Sequence, residues 1–117
     1  VVVNLDQDPV HLKEFFQNYT SMQEKAVYLI GNYKPESSWN ISRICKEFYI
    51  PKGKIGIMPY NMDMADAAKS GHLLQFLNRN YYKASDRECE YLMRYAKRAS
   101  QMIRKNIIGL RREKIDA

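Results

Sequence analysis

The chain has 117 residues, of which 45% are hydrophobic and 27% charged, a composition typical of one globular domain. Its apolar runs are only a few residues long, which excludes a membrane-spanning protein. The net charge of +6 is unevenly placed, because residues 1–93 carry 11 basic and 11 acidic side chains whereas residues 94–117 carry 8 and 2. This basic terminal segment predicts an anionic partner such as DNA, RNA or a lipid surface.

The first 30 residues predict a strand, a helix and a second strand. Residues 1–5 are apolar and largely β-branched on consecutive positions, which is typical of a strand buried on both faces. Asp8 is expected to cap a helix that runs to about residue 19, with Pro9 in its first turn, where the missing N–H costs nothing. A second buried strand is predicted at residues 26–30.

The next elements are separated by turn-forming residues. Gly31 and Asn32 are expected to close the second strand. Either Ser38 or Asn40 is expected to cap the next helix, which carries apolar side chains up to Phe48. A third strand is predicted at residues 55–58, where the following proline stops it.

Two shorter helices are predicted next. The first covers residues 61–70 and ends at Gly71, which is expected to adopt a left-handed conformation. The second covers residues 72–80, and residues 81–83 are expected to form a connector.

A long amphipathic helix is predicted for the end of the chain. Ser85 and Glu88 have the spacing of a capping box, and apolar residues recur at three- and four-residue steps from Cys89 to Leu110. The basic residues of this helix lie largely away from the apolar stripe. They are the candidate surface for nucleic acid or another anionic partner: Arg94, Lys97, Arg98, Arg104, Lys105, Arg111 and Arg112.

The basic surface has several interpretations. An ordinary solvated helix face explains the pattern as well as a binding surface does. Phosphate contacts would give weak, salt-sensitive and sequence-independent DNA binding. Membrane docking through residues 107–110 is expected to be marginal, because this end is short and lacks an aromatic anchor. A site for single strands is less expected, because few aromatic rings lie between the basic groups.

The order of the elements predicts an α/β fold. Strands that alternate with helices indicate βαβ crossovers and a parallel sheet in a three-layer, partial Rossmann-like arrangement. We expect one domain over residues 1–117, with a βαβαβαα portion at 1–83 and the basic helix at 84–117. Three strands are few for such a sheet, so further strands are expected before Val1. An independent flavodoxin-like domain would need two more strands.

The loops that follow the second and third strands are the candidate ligand site. In open parallel sheets, ligands bind beyond the carboxyl ends of the strands. Asn32 follows the second strand, and its carboxamide matches the N6 and N7 edge of adenine. Pro59, Tyr60 and Asn61 follow the third strand, and the Tyr60 ring offers a surface for stacking. The alternative is that Asn32 occupies a left-handed turn and Pro59 ends a strand.

Three segments carry a family resemblance. Residues 28–33, 55–61 and 65–76 resemble the closing portion of the ParA/MinD P-loop ATPases, and the chain is most similar to the TadZ/CpaE-like branch, which places pili and secretion machines. The resemblance covers residues 1–105. It implies a bacterial cytoplasmic protein, recruited to the nucleoid or the cell pole, that acts in positioning a pilus or secretion machine, a septum or DNA. A homodimer is also implied.

The resemblance assigns roles to the candidate residues. Asn32 would hold the adenine, and Pro59, Tyr60 and Asn61 would complete the base pocket. The family's lysine-containing glycine loop is absent, because the segment 52–56 precedes a strand, whereas a phosphate loop follows one and opens a helix.

The absent phosphate loop limits the activity expected of this chain. ATP or ADP with Mg²⁺ is expected to bind only with a preceding amino-terminal portion, and no hydrolysis, catalytic residue or metal site is assigned to this chain. The alternative function is a non-enzymatic module that binds DNA or a protein partner through its basic helix.

Overall fold

The fold is α/β, with three parallel strands and five α-helices in the part of the chain that is described. The structure is a computed structural model that describes the backbone of residues 1–116 and the side chains of residues 1–109. Two short 3-10 helices, Thr20–Lys25 and Lys52–Lys54, precede the second and third strands. The elements in chain order are β1 (Val2–Leu5), α1 (Pro9–Asn18), β2 (Val27–Tyr33), α2 (Ile41–Phe48), β3 (Ile55–Pro59), α3 (Met62–Lys69), α4 (Leu73–Tyr82) and α5 (Arg87–Asp116).

The sheet has the order β1-β2-β3, with both neighbouring pairs parallel. Val3 lies opposite Tyr28, and Tyr28 lies opposite Ile55, so these side chains share one face. The predicted α/β class, parallel sheet and long terminal helix are therefore confirmed.

Helices α1 and α2 cover this face of the sheet. Leu12 of α1 and Ile44 of α2 are fully buried in the same cluster as Tyr28. The rings of Phe16 and Phe48 stack at 4.4 Å between centroids and join the two helices. The apolar sides predicted for α1 and α2 thus form the larger of the two hydrophobic clusters of the described residues.

The other face is covered beside β3 by α3, α4 and α5. Phe76 of α4 and Leu92 of α5 form a second buried cluster with Met58 of β3. Gly56 lets α5 approach the strand closely, since a Cβ there would lie 3.2 Å from the Cβ of Ala99. Helices therefore lie on both faces of the sheet.

Several predicted helix ends are confirmed by their hydrogen bonds. Asp8 caps α1 through Val10 N, and Asn40, rather than Ser38, caps α2. Gly71 has φ +79°, and the next residue donates its N–H back into the last turn of α3. This is a Schellman motif, which needs a left-handed residue after the helix.

Two predicted boundaries are wrong by a few residues. Strand β2 does not close at residues 31–32 but continues to Tyr33, which pairs with Pro59 beyond an irregularity in the ladder. Helix α4 runs to Tyr82, so the segment predicted as a connector belongs mostly to this helix.

The predicted capping box of the last helix is also wrong. Helix α5 begins at Arg87, and the carboxylate of Asp86 accepts the N–H of Cys89 at 2.7 Å. Ser85 cannot act as the cap, because its N–H and its hydroxyl both bind the carboxamide oxygen of buried Asn80. Within residues 1–116, no helix combines the length and apolarity needed to cross a membrane.

Candidate functional site

Gln7 joins the loops at the carboxyl ends of β1 and β2. Its amide nitrogen donates to the carbonyls of Lys34 and Trp39, each at 3.0 Å, and its amide oxygen accepts the N–H of Lys34 at 2.9 Å. One side chain therefore fixes the loop that follows β2. The sequence gives little sign of this role, because a glutamine after a strand is usually a solvated loop residue.

Asn32 lies in the irregular segment near the end of β2. Its φ of 49° is left-handed, a conformation that asparagine tolerates better than most residues. Asn32 thus has the left-handed backbone of the predicted alternative, but it lies within β2 rather than in a turn, and its side chain is exposed at the carboxyl edge of the sheet. This backbone conformation leaves the carboxamide of Asn32 exposed, so a ligand can reach it.

Tyr60 lies beside the end of β2. Its N–H donates to the carbonyl of Tyr33 at 3.0 Å, and Tyr33 pairs with Pro59 across the two strands. Asn32 and Tyr60 are therefore each next to a member of the same cross-strand pair. The Tyr60 ring is half-exposed, and the ammonium of Lys34 lies 5.0 Å from its centroid.

The two other residues predicted around the base have structural roles. Pro59 is fully buried at the end of β3, so a ligand can reach little of it. Asn61 is 4% exposed and caps α3, with its Oδ1 accepting the N–H of Met64 at 2.9 Å. Its Nδ2 lies 3.9 Å from the sulfur of Cys89. Among the four predicted residues, Asn32 and Tyr60 are the accessible ones.

A cleft of about 420 Å³ lies next to Tyr60. It runs between the start of α3 and the first turns of α5, and its walls include Met62, Arg87 and Tyr91. Burial raises the pKa of the Tyr91 hydroxyl, so this hydroxyl stays protonated and able to donate a hydrogen bond at neutral pH. An aromatic ring, a guanidinium and a hydroxyl thus border one concave surface.

An exposed histidine–carboxylate pair follows β1. Nδ1 of His11 lies 2.7 Å from Asp6 and 3.8 Å from Asp8. The hydrogen bond and the negative charge of Asp6 raise the pKa of His11 above its ordinary value of 6.5. Both partners are exposed, with His11 on the first turn of α1 and Asp6 in the loop that follows β1.

A second group of ionisable side chains lies where α3 and α5 begin. Asp63, Asp86 and Cys89 bring their ligand atoms within 4.8 Å of one another. Asp63 lies in the first turn of α3 and Asp86 caps α5, so helix geometry explains both carboxylates. Burial and the Asp86 carboxylate raise the pKa of the Cys89 thiol, which remains protonated. We assign no metal to this group.

The basic residues of α5 are exposed opposite its packed side. Leu92 and Ala99 are buried, whereas all five described members of the predicted basic surface are exposed. At 100° per residue these five cover an arc of about 120°. Their side chains have different neighbours. Arg94 pairs with Glu90 at 3.3 Å, and the ammonium of Lys97 lies 4.8 Å from the ring centroid of Tyr81. The side chains of the predicted Arg111 and Arg112 lie outside the described residues.

The comparisons with known proteins give no match. The chain matches no protein-family model, no curated protein and no solved structure.

Proposed function

We propose that the chain is the carboxyl-terminal part of a ParA/MinD-like P-loop ATPase of the TadZ/CpaE-like kind and forms the adenine-binding side of its nucleotide site. The observation that carries this proposal is the juxtaposition of Asn32 and Tyr60 at the carboxyl ends of adjacent parallel strands. This edge is where nucleotides bind in open α/β sheets. The resemblance of the surrounding segments supplies the family.

The two accessible side chains suit an adenine ring. The carboxamide of Asn32 donates to N7 and accepts from the N6 amino group, while the base stacks on the Tyr60 ring. A base that stacks on the face of the Tyr60 ring covered by Lys34 displaces the Lys34 ammonium. The ammonium is then free to face the phosphates. Asn61 and Gln7 hold the two loops in place rather than touching the base.

The phosphates require residues that this chain does not carry. It contains no lysine-bearing glycine loop between a strand and a helix, so the triphosphate and Mg²⁺ are held by an amino-terminal portion in this proposal. The complete ATPase then acts in subcellular positioning. The 117-residue chain alone binds adenosine weakly and does not hydrolyse ATP.

The test is a titration of the isotope-labelled chain with adenosine and guanosine, followed by NMR. We expect adenosine to shift the Asn32 side-chain amide and the Tyr60 ring, and guanosine to do so less, because its edge presents two acceptors. Asn32→Asp tolerates the left-handed φ but cannot donate to N7, so it should abolish the shifts. Equal responses to both nucleosides, or ATP hydrolysis by the pure chain, would contradict the proposal.

A second candidate function is a non-enzymatic module that binds DNA or a protein partner through α5. The exposed basic arc of that helix favours it. Titration with random duplex DNA at two salt concentrations tests the DNA form. Affinity that falls steeply with salt supports this function, and no binding at low salt rejects it.

A further inference from the structure

The end of α4 brings two tyrosine rings beside the basic arc of α5. Tyr81 is 53% exposed and Tyr82 is 87% exposed, and their rings meet edge to face at 5.0 Å between centroids. The ammonium of Lys97 lies 4.8 Å from the Tyr81 centroid. The rings come from a different helix, so the sequence of α5 alone gives no sign of them.

A groove of about 400 Å³ runs along α5 next to Tyr81. Its α5 residues recur at steps of three or four, so they form one continuous strip of the helix. Met93 and Ala96 give it an apolar floor, and Lys97 and Arg104 place positive charge along its rim. The lining residues are Tyr81, Met93, Ala96, Lys97, Ser100, Gln101 and Arg104.

We propose that this groove and the two tyrosines bind single-stranded nucleic acid. Unpaired bases stack on Tyr81 and Tyr82, and Lys97 and Arg104 contact the phosphates. The proposal rests on the second candidate function, because it names the class of nucleic acid that the basic arc of α5 takes. It does not depend on the adenine site.

The spacing of the two cations fits a short stacked strand. Lys97 and Arg104 are seven residues apart, which is about 10 Å along a helix and close to two full turns, so both point to the same side. Stacked nucleotides rise about 3.4 Å each, so the two cations span roughly three nucleotides.

The exposed rings distinguish a single strand from a duplex. Every unpaired base has an accessible π-face, and stacking on an aromatic side chain is the main sequence-tolerant contact of single-strand sites. A duplex offers only its backbone to such a surface, so it would use Lys97 and Arg104 but neither ring. Tyr82 also has little packing role, since only a small fraction of its surface is buried.

The test measures binding of the full chain to a fluorescent 12-nucleotide strand and to the matching duplex by anisotropy. Tyr81→Leu and Tyr82→Leu are each expected to weaken binding of the single strand about tenfold, with little effect on the duplex. Tyr49→Leu is the matched control, because Tyr49 is 92% exposed at the end of α2. Circular dichroism checks that each variant is folded.

Salt dependence tests the cations separately. Lys97→Gln should reduce the slope of log affinity against log salt for the single strand by about 0.7, the value of one phosphate contact. Lys46→Gln, on α2, should leave the slope unchanged. Equal binding of strand and duplex, with the tyrosine variants unaffected, would overturn the single-strand proposal while leaving the second candidate function intact. Absence of binding to either nucleic acid at low salt would overturn both.

Discussion

The close approach of α5 to β3 at Gly56 can be tested by adding one methyl group. In Gly56→Ala the new Cβ would lie 3.2 Å from the Cβ of Ala99, 3.3 Å from its Cα and 3.3 Å from the terminal methyl of Met102. Carbon atoms pack best at about 3.5–4.0 Å, so the helix has to move by a few tenths of an ångström. Met102 can rotate away, but the Ala99 atoms belong to or adjoin the helix backbone and cannot.

The expected cost follows from two opposing effects. Overpacking a core typically costs about 1–3 kcal/mol, while replacing glycine by alanine restricts the unfolded chain and returns about 0.4–1 kcal/mol. We therefore expect Gly56→Ala to lower the free energy of unfolding by about 1 kcal/mol. For 117 residues the unfolding entropy is about 250 cal/mol/K, so the melting temperature should fall by about 4 °C.

The assay is thermal and urea unfolding followed by circular dichroism. Gly53→Ala is the matched control, because a Cβ at Gly53 meets no atom within 4 Å, and it should leave stability unchanged or raise it slightly. If Gly56→Ala is as stable as the parent chain, α5 does not lie as close to β3 as the structure places it.

Three further substitutions test other contacts. Asp6→Asn should lower the pKa of His11 towards 6.5 in an NMR titration. Because the His11–Asp6 pair raises that pKa, its contribution to stability is present below about pH 6.5 and is lost as the pH rises through the raised pKa. An unchanged His11 pKa in the variant would refute the pairing. Gln7→Ala should lower the free energy of unfolding by about 2 kcal/mol, because its three hydrogen bonds to the backbone are lost, whereas Gln17→Ala, at an exposed position of α1, should not. Asn61→Ala should cost about 1 kcal/mol in urea unfolding and Asn61→Ser much less, since serine also caps helices; equal losses would show that the cap is not the cause.

Elements whose signals are local could be predicted from the sequence. Pro9 after Asp8 specifies a helix start within two residues, and Gly71 specifies a left-handed helix end, whatever the rest of the chain does. Strand β3 was predicted to within one residue, because its apolar run is bounded by turn residues and a proline. These features depend on backbone geometry and nearby hydrogen bonds.

Features set by contacts with a neighbouring element could not be predicted from the sequence of the element itself. Ser85 has the correct spacing for a capping box, but buried Asn80 on α4 binds its hydroxyl, and Asp86 becomes the cap instead. The extension of β2 to Tyr33 depends on its pairing with Pro59, which the sequence of β2 does not contain. The candidate site follows the same rule, since the left-handed conformation of Asn32 was predicted as an alternative, whereas the continuation of β2 through Asn32 to Tyr33 was not.

Helix α5 contributes to both proposed binding surfaces, but a substitution outside this helix can separate the two proposals. Its first turns place Tyr91 in the cleft beside Tyr60, and its middle turns place Lys97 beside the tyrosines of α4. A shift of the helix, as expected in Gly56→Ala, therefore perturbs both surfaces. Asn32→Asp changes only the base site, because Asn32 belongs to β2 and makes no part of the groove on α5. Loss of adenosine binding with unchanged binding of a single strand is thus the pattern that two independent sites require.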